Sequence, residues 1–169
     1  MKAIVVCLIA ASGLATTIVH GDEHGIAGYE HRTRHLSFEV LVVPDVLVAG
    51  VTMSLVVNIA PNPGMHVYAP GTDHRAVSVS LSDQAMFQMR DIVYPKAVPY
   101  VFKPLNETSL VYAKPFRIVR SFVATAASME SKPRITLRGI IEYQACDATV
   151  CYLPASVPFE HSVAVRRVR

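Results

Sequence analysis

The chain has 169 residues, room for one domain and not for two. Hydrophobic residues make up 51% and charged residues 17%, a balance that excludes a disordered chain. The net charge of +3 comes with no basic stripe and no interleaved aromatics, so the pattern is not that of a nucleic-acid binder.

In chain order, the first element reads as an export signal. Met1-Lys2 is a short positive start, Ala3 to Val19 is almost wholly apolar or small, and polarity rises abruptly at His20 to His24. The apolar stretch is shorter than the ~20 residues a membrane span needs. Cleavage after Gly21 gives a 1–21 signal peptide, removes Cys7 and leaves a soluble chain whose only cysteines are Cys146 and Cys151. The expected location is the periplasm or another exported compartment. There a cysteine pair becomes a disulfide by default.

Residues 22–34 are polar and aperiodic and read as a loose leader to a domain spanning 35–169. His20, His24, His31 and His35 cluster in or beside it, in a spacing that matches no closed metal-ligand set. Alternation then begins. Leu36, Phe38, Val40 and Val42 share one face of a strand, and Val51 to Ile59 has a clear period of two. Ala60 to Gly64 is turn chemistry, Met65–Ala69 a short strand, and Val77, Val79 and Leu81 alternate with serines. Phe87–Tyr94 is the next strand, followed by a loop broken by Pro95, Pro99 and Pro104 that runs to about Ser109. Phe116–Val123, Arg134–Gln144 and Ser156–Val165 complete the set. Short strands with turn signals every 8–12 residues predict an all-β fold, an antiparallel β-sandwich of immunoglobulin-like type.

The distinctive segment is Tyr143-Gln144-Ala145-Cys146-Asp147-Ala148-Thr149-Val150-Cys151-Tyr152-Leu153-Pro154. Its cysteines sit five apart between two strands, within reach of a disulfide. A loop of about six residues gives only ~2 kcal/mol as a staple, against ~4–5 for a loop of about a hundred. Short loops also favour strained, exchange-competent bonds. Spacing alone leaves both a staple and a redox pair open.

This segment, with Ser156-Val157-Pro158-Phe159 after it, resembles the redox motif of the N-terminal periplasmic domain of DsbD and of disulfide-bond corrector domains. Pro63 to Ala69, Tyr94-Pro95 and Leu110-Val111-Tyr112 are similar to further pieces of that family in the same order. The resemblance implies an immunoglobulin-like fold and a thiol:disulfide oxidoreductase in which Cys146 and Cys151 cycle between dithiol and disulfide. Electrons would pass between a membrane-embedded carrier and thioredoxin-like periplasmic proteins, with no cofactor and no metal. It places His66 and Tyr68 at the site, and a 95–109 cap with Phe102 or Leu105 as its apolar lid. Tyr143, Asp147 and Tyr152 of the motif complete the lining. The sequence departs from the family at His66, which replaces an aromatic hydroxyl, and at Leu153, which replaces a proline.

His66 is a candidate for lowering a thiol pKa or accepting its proton, while Asp147 beside Cys146 disfavours that thiolate and makes Cys151 the expected attacker. Two other classes compete. One is an exported copper or metal-handling protein using Met53, Met65, Met86 and Met89 with the leader histidines. The other is a structural sandwich whose disulfide is only a staple.

Overall fold

The computed structural model describes residues 28–83, 85–125, 129 and 132–166. The stretch expected as an export signal, Cys7, His20, His24 and the last three residues lie outside them. In chain order the strands begin with β1 (Tyr29–Arg32), β2 (Leu36–Val43), β3 (Val46–Val48) and β4 (Thr52–Pro61). Next come β5 (His66–Tyr68), β6 (Ser78–Leu81), β7 (Phe87–Val93), β8 (Val98–Phe102) and β9 (Glu107–Tyr112). The chain ends on β10 (Phe116–Ala124), β11 (Arg134–Tyr143), β12 (Ala145–Cys146) and β13 (Ala155–Arg166).

Three sheets result, ordered β1-β2-β4-β10-β7, β3-β13-β11-β6 and β12-β5-β9-β8. The first two close on each other as an immunoglobulin-like β-sandwich. Alternation explains why: Leu36, Phe38, Val40 and Val42 of β2 and Met53, Leu55, Val57 and Ile59 of β4 fill the core from one side. Ile135, Leu137 and Ile141 of β11 with Phe159 and Val163 of β13 fill it from the other. Each such side chain, fully buried, contributes roughly 1.5–3 kcal/mol. All pairings are antiparallel except that of β3 with β13, which is parallel.

Besides the short strand β3, which the sequence reading did not include, two segments differ from it. Tyr29–Arg32 sits within the polar leader, yet it forms β1 and pairs with β2 from Tyr29↔Val40 to Arg32↔Ser37. Its half-buried and exposed residues alternate, and the Tyr29 ring lies 6.3 Å from that of Phe38. Residues 95–109 are not a continuous loop: β8 and β9 form a hairpin, in register from Val98↔Val111 to Phe102↔Glu107. Pro99 is compatible because β8 is an edge strand, where a missing N–H costs no ladder bond. Asn106 closes the turn at φ 50°, a left-handed conformation that Asn tolerates.

The third sheet carries the site, and the sandwich fixes its place. β5 follows β4, β9 leads into β10, and the pairing Ile59↔Phe116 puts those two strand ends side by side. The end of β11 joins them, because the Tyr143 hydroxyl donates to Thr33 Oγ1 at 3.0 Å just ahead of β2. The turn into β5 is Asn62-Pro63-Gly64-Met65, closed by Met65 N–H donating to the Asn62 carbonyl at 2.9 Å. Proline presets the second position, and Gly64 at φ 80° supplies the left-handed third position of a type II turn. This turn aims His66 and Tyr68 to one face of β5 and Val67 to the main core.

Candidate functional site

Cys146 and Cys151 face each other across a tight hairpin, bonded as a disulfide with Cα atoms 4.1 Å apart. Backbone bonds close the hairpin on both sides of the pair. Tyr152 N–H donates to the Ala145 carbonyl, and Asp147 N–H to that of Val150, both at 2.9 Å. Asp147 organises the turn between them. Its Oδ1 accepts from Thr149 N–H at 2.7 Å, Val150 N–H at 2.8 Å and the Thr149 hydroxyl at 2.9 Å. The Tyr152 hydroxyl donates to Oδ2 at 2.9 Å. The carboxylate therefore acts through the turn it builds, as well as through its charge.

The two sulfurs differ in exposure. Cys146 is fully buried with Tyr68 and Val111, whereas Cys151 is partly exposed at the edge of this cluster. Burial gives a physical reason to treat Cys151 as the sulfur a partner reaches first. Val150 (48% exposed) and Leu153 (87% exposed) flank it as an apolar rim.

Tyr68 is the hub. Its hydroxyl lies 3.3 Å from Cys146 Sγ and 3.4 Å from Cys151 Sγ. Burial first, then the Glu107 charge, pushes the phenol pKa up, so it remains a donor. His66 is the direct cross-strand neighbour of Cys146, and its ring centroid is 6.0 Å from that of Tyr68. It is 2% exposed, and its Nε2 is buried without a hydrogen-bond partner. Burial pulls its pKa down, opposed by the negative charge of Asp147. The imidazole is thus held neutral beside the buried sulfur.

The sequence reading missed Tyr100, His74 and His35. From β8, the Tyr100 ring packs against the cysteine cluster and sits 4.1 Å from the His66 ring. Phe102 is buried two residues further along β8, and Leu105 lies in the hairpin turn at 66% exposure. Tyr100 is therefore the β8 side chain seen against the cysteines. His35 is buried and packs on Tyr152 at 4.5 Å, with Tyr143 reaching its Nδ1 at 3.5 Å. Tyr143 and Tyr152 thus brace the hairpin from behind. No local motif in the sequence marks His35 or Tyr100, whose positions depend on long-range pairing.

The methionines lie elsewhere. Met53 is in the main core, with Met86 and Met89 packed against it. Met65 belongs to the turn before β5. Among the described residues, no group of three or more His, Cys, Asp or Glu is placed to hold a metal ion.

The Asp147 geometry predicts an unusual acid response. Hydrogen bonds from Thr149 N–H, Val150 N–H and then the Tyr152 hydroxyl hold the carboxyl far below its ordinary range. Because the folded value is depressed, this stabilisation is present above the unfolded pKa of ~3.9 and is lost only as pH falls through the lower folded value. The amide resonances of Thr149 and Val150 should therefore not titrate between pH 7 and about 3.5. Asp147→Asn should loosen the turn at every pH in that interval. A titration step near 4 in the wild type would show that the carboxylate does not organise the hairpin.

With this geometry established, the family described as "Thiol:disulfide interchange protein DsbD, N-terminal" matches residues 34–162. No curated protein sequence matches the chain. Among solved structures, the N-terminal periplasmic domain of ScsB from Proteus mirabilis is 10% identical with a TM-score of 0.53. That alignment covers 82% of this chain and 50% of the ScsB chain, so this protein corresponds to half of that structure, and the likeness is one of fold. The DsbD N-terminal domain of Neisseria meningitidis, in its reduced form, is 14% identical over 66% of this chain and 78% of that one, with a TM-score of 0.49. The stretch matched by the family runs from just ahead of β2 into β13 and encloses both cysteines. The chain therefore belongs to the family of the N-terminal domain of the thiol:disulfide interchange protein DsbD, as an interchange domain built around the Cys146–Cys151 pair.

Proposed function

We propose that the protein is an exported, periplasmic domain that relays electrons through Cys146 and Cys151, from a membrane-embedded carrier to thioredoxin-like periplasmic proteins. The observation that carries this reading is the asymmetry of the disulfide. One sulfur is sealed, the other is reachable, and a single phenol hydroxyl lies within 3.4 Å of both.

Loading begins when a donor thiolate attacks Cys151 Sγ. A mixed disulfide forms, and Cys146 leaves as a thiolate. The donor's second thiol then displaces Cys151, so the donor is oxidised to a disulfide and the domain holds the two electrons as a dithiol. Delivery is the reverse sequence on an acceptor. Cys151 attacks the acceptor disulfide, Cys146 resolves the mixed disulfide, and the acceptor leaves as a dithiol. The Tyr68 hydroxyl donates to whichever sulfur carries charge, a bond that strengthens when the sulfur is anionic. His66, cross-strand from Cys146 and disfavoured as a cation by burial, adds no positive charge beside the buried thiol. Tyr100 covers the pair between encounters.

Structural disulfides lie below about −300 mV, and exchange-active pairs at roughly −270 to −120 mV. Equilibration of the folded domain against a glutathione or dithiothreitol series should place Cys146–Cys151 in the higher window. A midpoint below about −300 mV would leave the bond as a staple.

A further inference from the structure

We infer that Tyr152, through its hydrogen bond to Asp147, is a positioning residue that holds Cys146 and Cys151 together in the dithiol and so sets the reduction potential of the pair. This rests on the reading of the pair as an interchange centre and identifies what poises it. Asp147 follows Cys146 in sequence and Tyr152 follows Cys151, and the Tyr152 hydroxyl donates to Asp147 Oδ2 at 2.9 Å. These neighbours of the cysteines thus tie the hairpin together without sulfur, beside the covalent link. The sulfurs themselves lie against Tyr68, whose ring stacks on His74 with centroids 3.9 Å apart.

Tyr152 packs instead on the turn ahead of β2. Its ring is 4.5 Å from that of His35, and the Arg34 guanidinium carbon lies 5.1 Å over it. That turn is fixed in its own right. Asn62 Nδ2 donates to the Arg34 carbonyl at 3.0 Å, and Asn62 N–H to the His35 carbonyl at 2.8 Å. Gln144 Nε2 donates to the Tyr152 carbonyl at 3.1 Å. The phenol is therefore held toward Asp147 by the sandwich as well as by the hairpin.

The direction of the effect follows from what reduction removes. It breaks the sulfur bridge and leaves the Tyr152–Asp147 bond available. Backbone hydrogen bonds from Thr149 and then Val150, with the Tyr152 hydroxyl next, keep the Asp147 carboxyl ionised below its ordinary range. The bond to that carboxylate in turn pushes the phenol pKa up, so Tyr152 stays a donor. A hydrogen bond to an ionised acceptor is roughly twice as strong as a neutral one. Thiols restrained side by side have a higher effective concentration toward each other, which favours closure to the disulfide. Without the hydroxyl, the dithiol gains freedom while the disulfide stays joined, so the potential rises. The two backbone bonds that close the hairpin remain, and they make the effect partial.

The test is Tyr152→Phe, which keeps the ring on His35 and removes only the hydroxyl. Equilibration of the folded variant with glutathione should show the dithiol favoured about five-fold over wild type, or ~20 mV for a two-electron couple. In an Asp147→Ala background, which lacks the acceptor, Tyr152→Phe should leave the equilibrium unchanged. Equal equilibria in wild type and Tyr152→Phe would overturn the proposal. So would a shift toward the disulfide, or a shift that survives in the Asp147→Ala background. A wild-type pair too reducing to exchange with glutathione would instead sink the interchange reading, and a dithiothreitol series would still measure the shift caused by Tyr152.

Discussion

Cys151→Ala should reduce disulfide exchange to background, whereas Cys146→Ala should still attack a partner and then stall. The difference follows from burial. Cys146 is sealed under Tyr68, Val111 and Tyr100, while Cys151 is open to an incoming thiolate. A domain with only Cys151 forms a mixed disulfide that it cannot resolve itself, leaving release to the partner's second cysteine. A domain with only Cys146 offers no sulfur to begin with. Incubation of each variant with a thioredoxin-like protein that lacks its second cysteine and carries the other as an activated aromatic disulfide, followed by non-reducing electrophoresis, should therefore show a trapped complex for Cys146→Ala alone. A complex trapped only by Cys151→Ala would reverse the order of attack. The double Ala variant should remain folded, because a six-residue loop contributes only ~2 kcal/mol of a typical ~5–15. Loss of its near-ultraviolet signal at room temperature would mean that the bond holds the fold.

The largest loss of stability is expected at a position with no role in the chemistry. Gly139 lies in the middle of β11, between Leu137 and Ile141 on the core face. It pairs with Phe159 on one side and Leu81 on the other. The Phe159 ring lies over the glycine, and a Cβ there would collide with that ring and with the Ser80 backbone carbonyl. The carbonyl cannot move away without opening the β6–β11 ladder. Overpacking costs about 1–3 kcal/mol where side chains can adjust, and a fixed backbone atom puts Gly139→Ala at or above the top of that range. A melting temperature lower by roughly 6–12 °C is the expected result, taking ~2–4 °C per kcal/mol at this size. An unchanged melting temperature would mean that β6 and β11 can separate at no cost.

The sandwich strands were legible because each has one face in the core and one toward solvent. Residues 36–42 and 51–59 alternate for this reason, and β2 and β4 follow them closely. Alternation fails as a signal where both faces are covered. In β5, His66, Val67 and Tyr68 are all buried, and only the preceding turn gave the strand away. β3 is three residues long, and its parallel partner β13 lies more than a hundred residues away, a pairing that no local pattern encodes. In β8, proline marked a break, although an edge strand accepts it. The cysteine hairpin was legible as chemistry but not as geometry. Asp147 reads from sequence as a charge opposing its neighbour's thiolate, and the structure adds four hydrogen bonds that shape the turn. Tyr100, His74 and His35 reach the site only through strand pairing and loop packing, so their roles wait on the fold.

In the proposed relay, the two backbone hydrogen bonds that bracket the cysteines limit how long a partner stays attached. Asp147 N–H to Val150 and Tyr152 N–H to Ala145 involve no sulfur, so reducing the disulfide removes neither. In the mixed disulfide, the resolving thiol is therefore already in place beside the bond it must break. Well-oriented intramolecular groups reach effective molarities of about 10⁵–10⁸ M, far above any concentration of free thiol. Release then outpaces competing attack by bystander thiols. In the proposed relay the covalent complex is consequently brief.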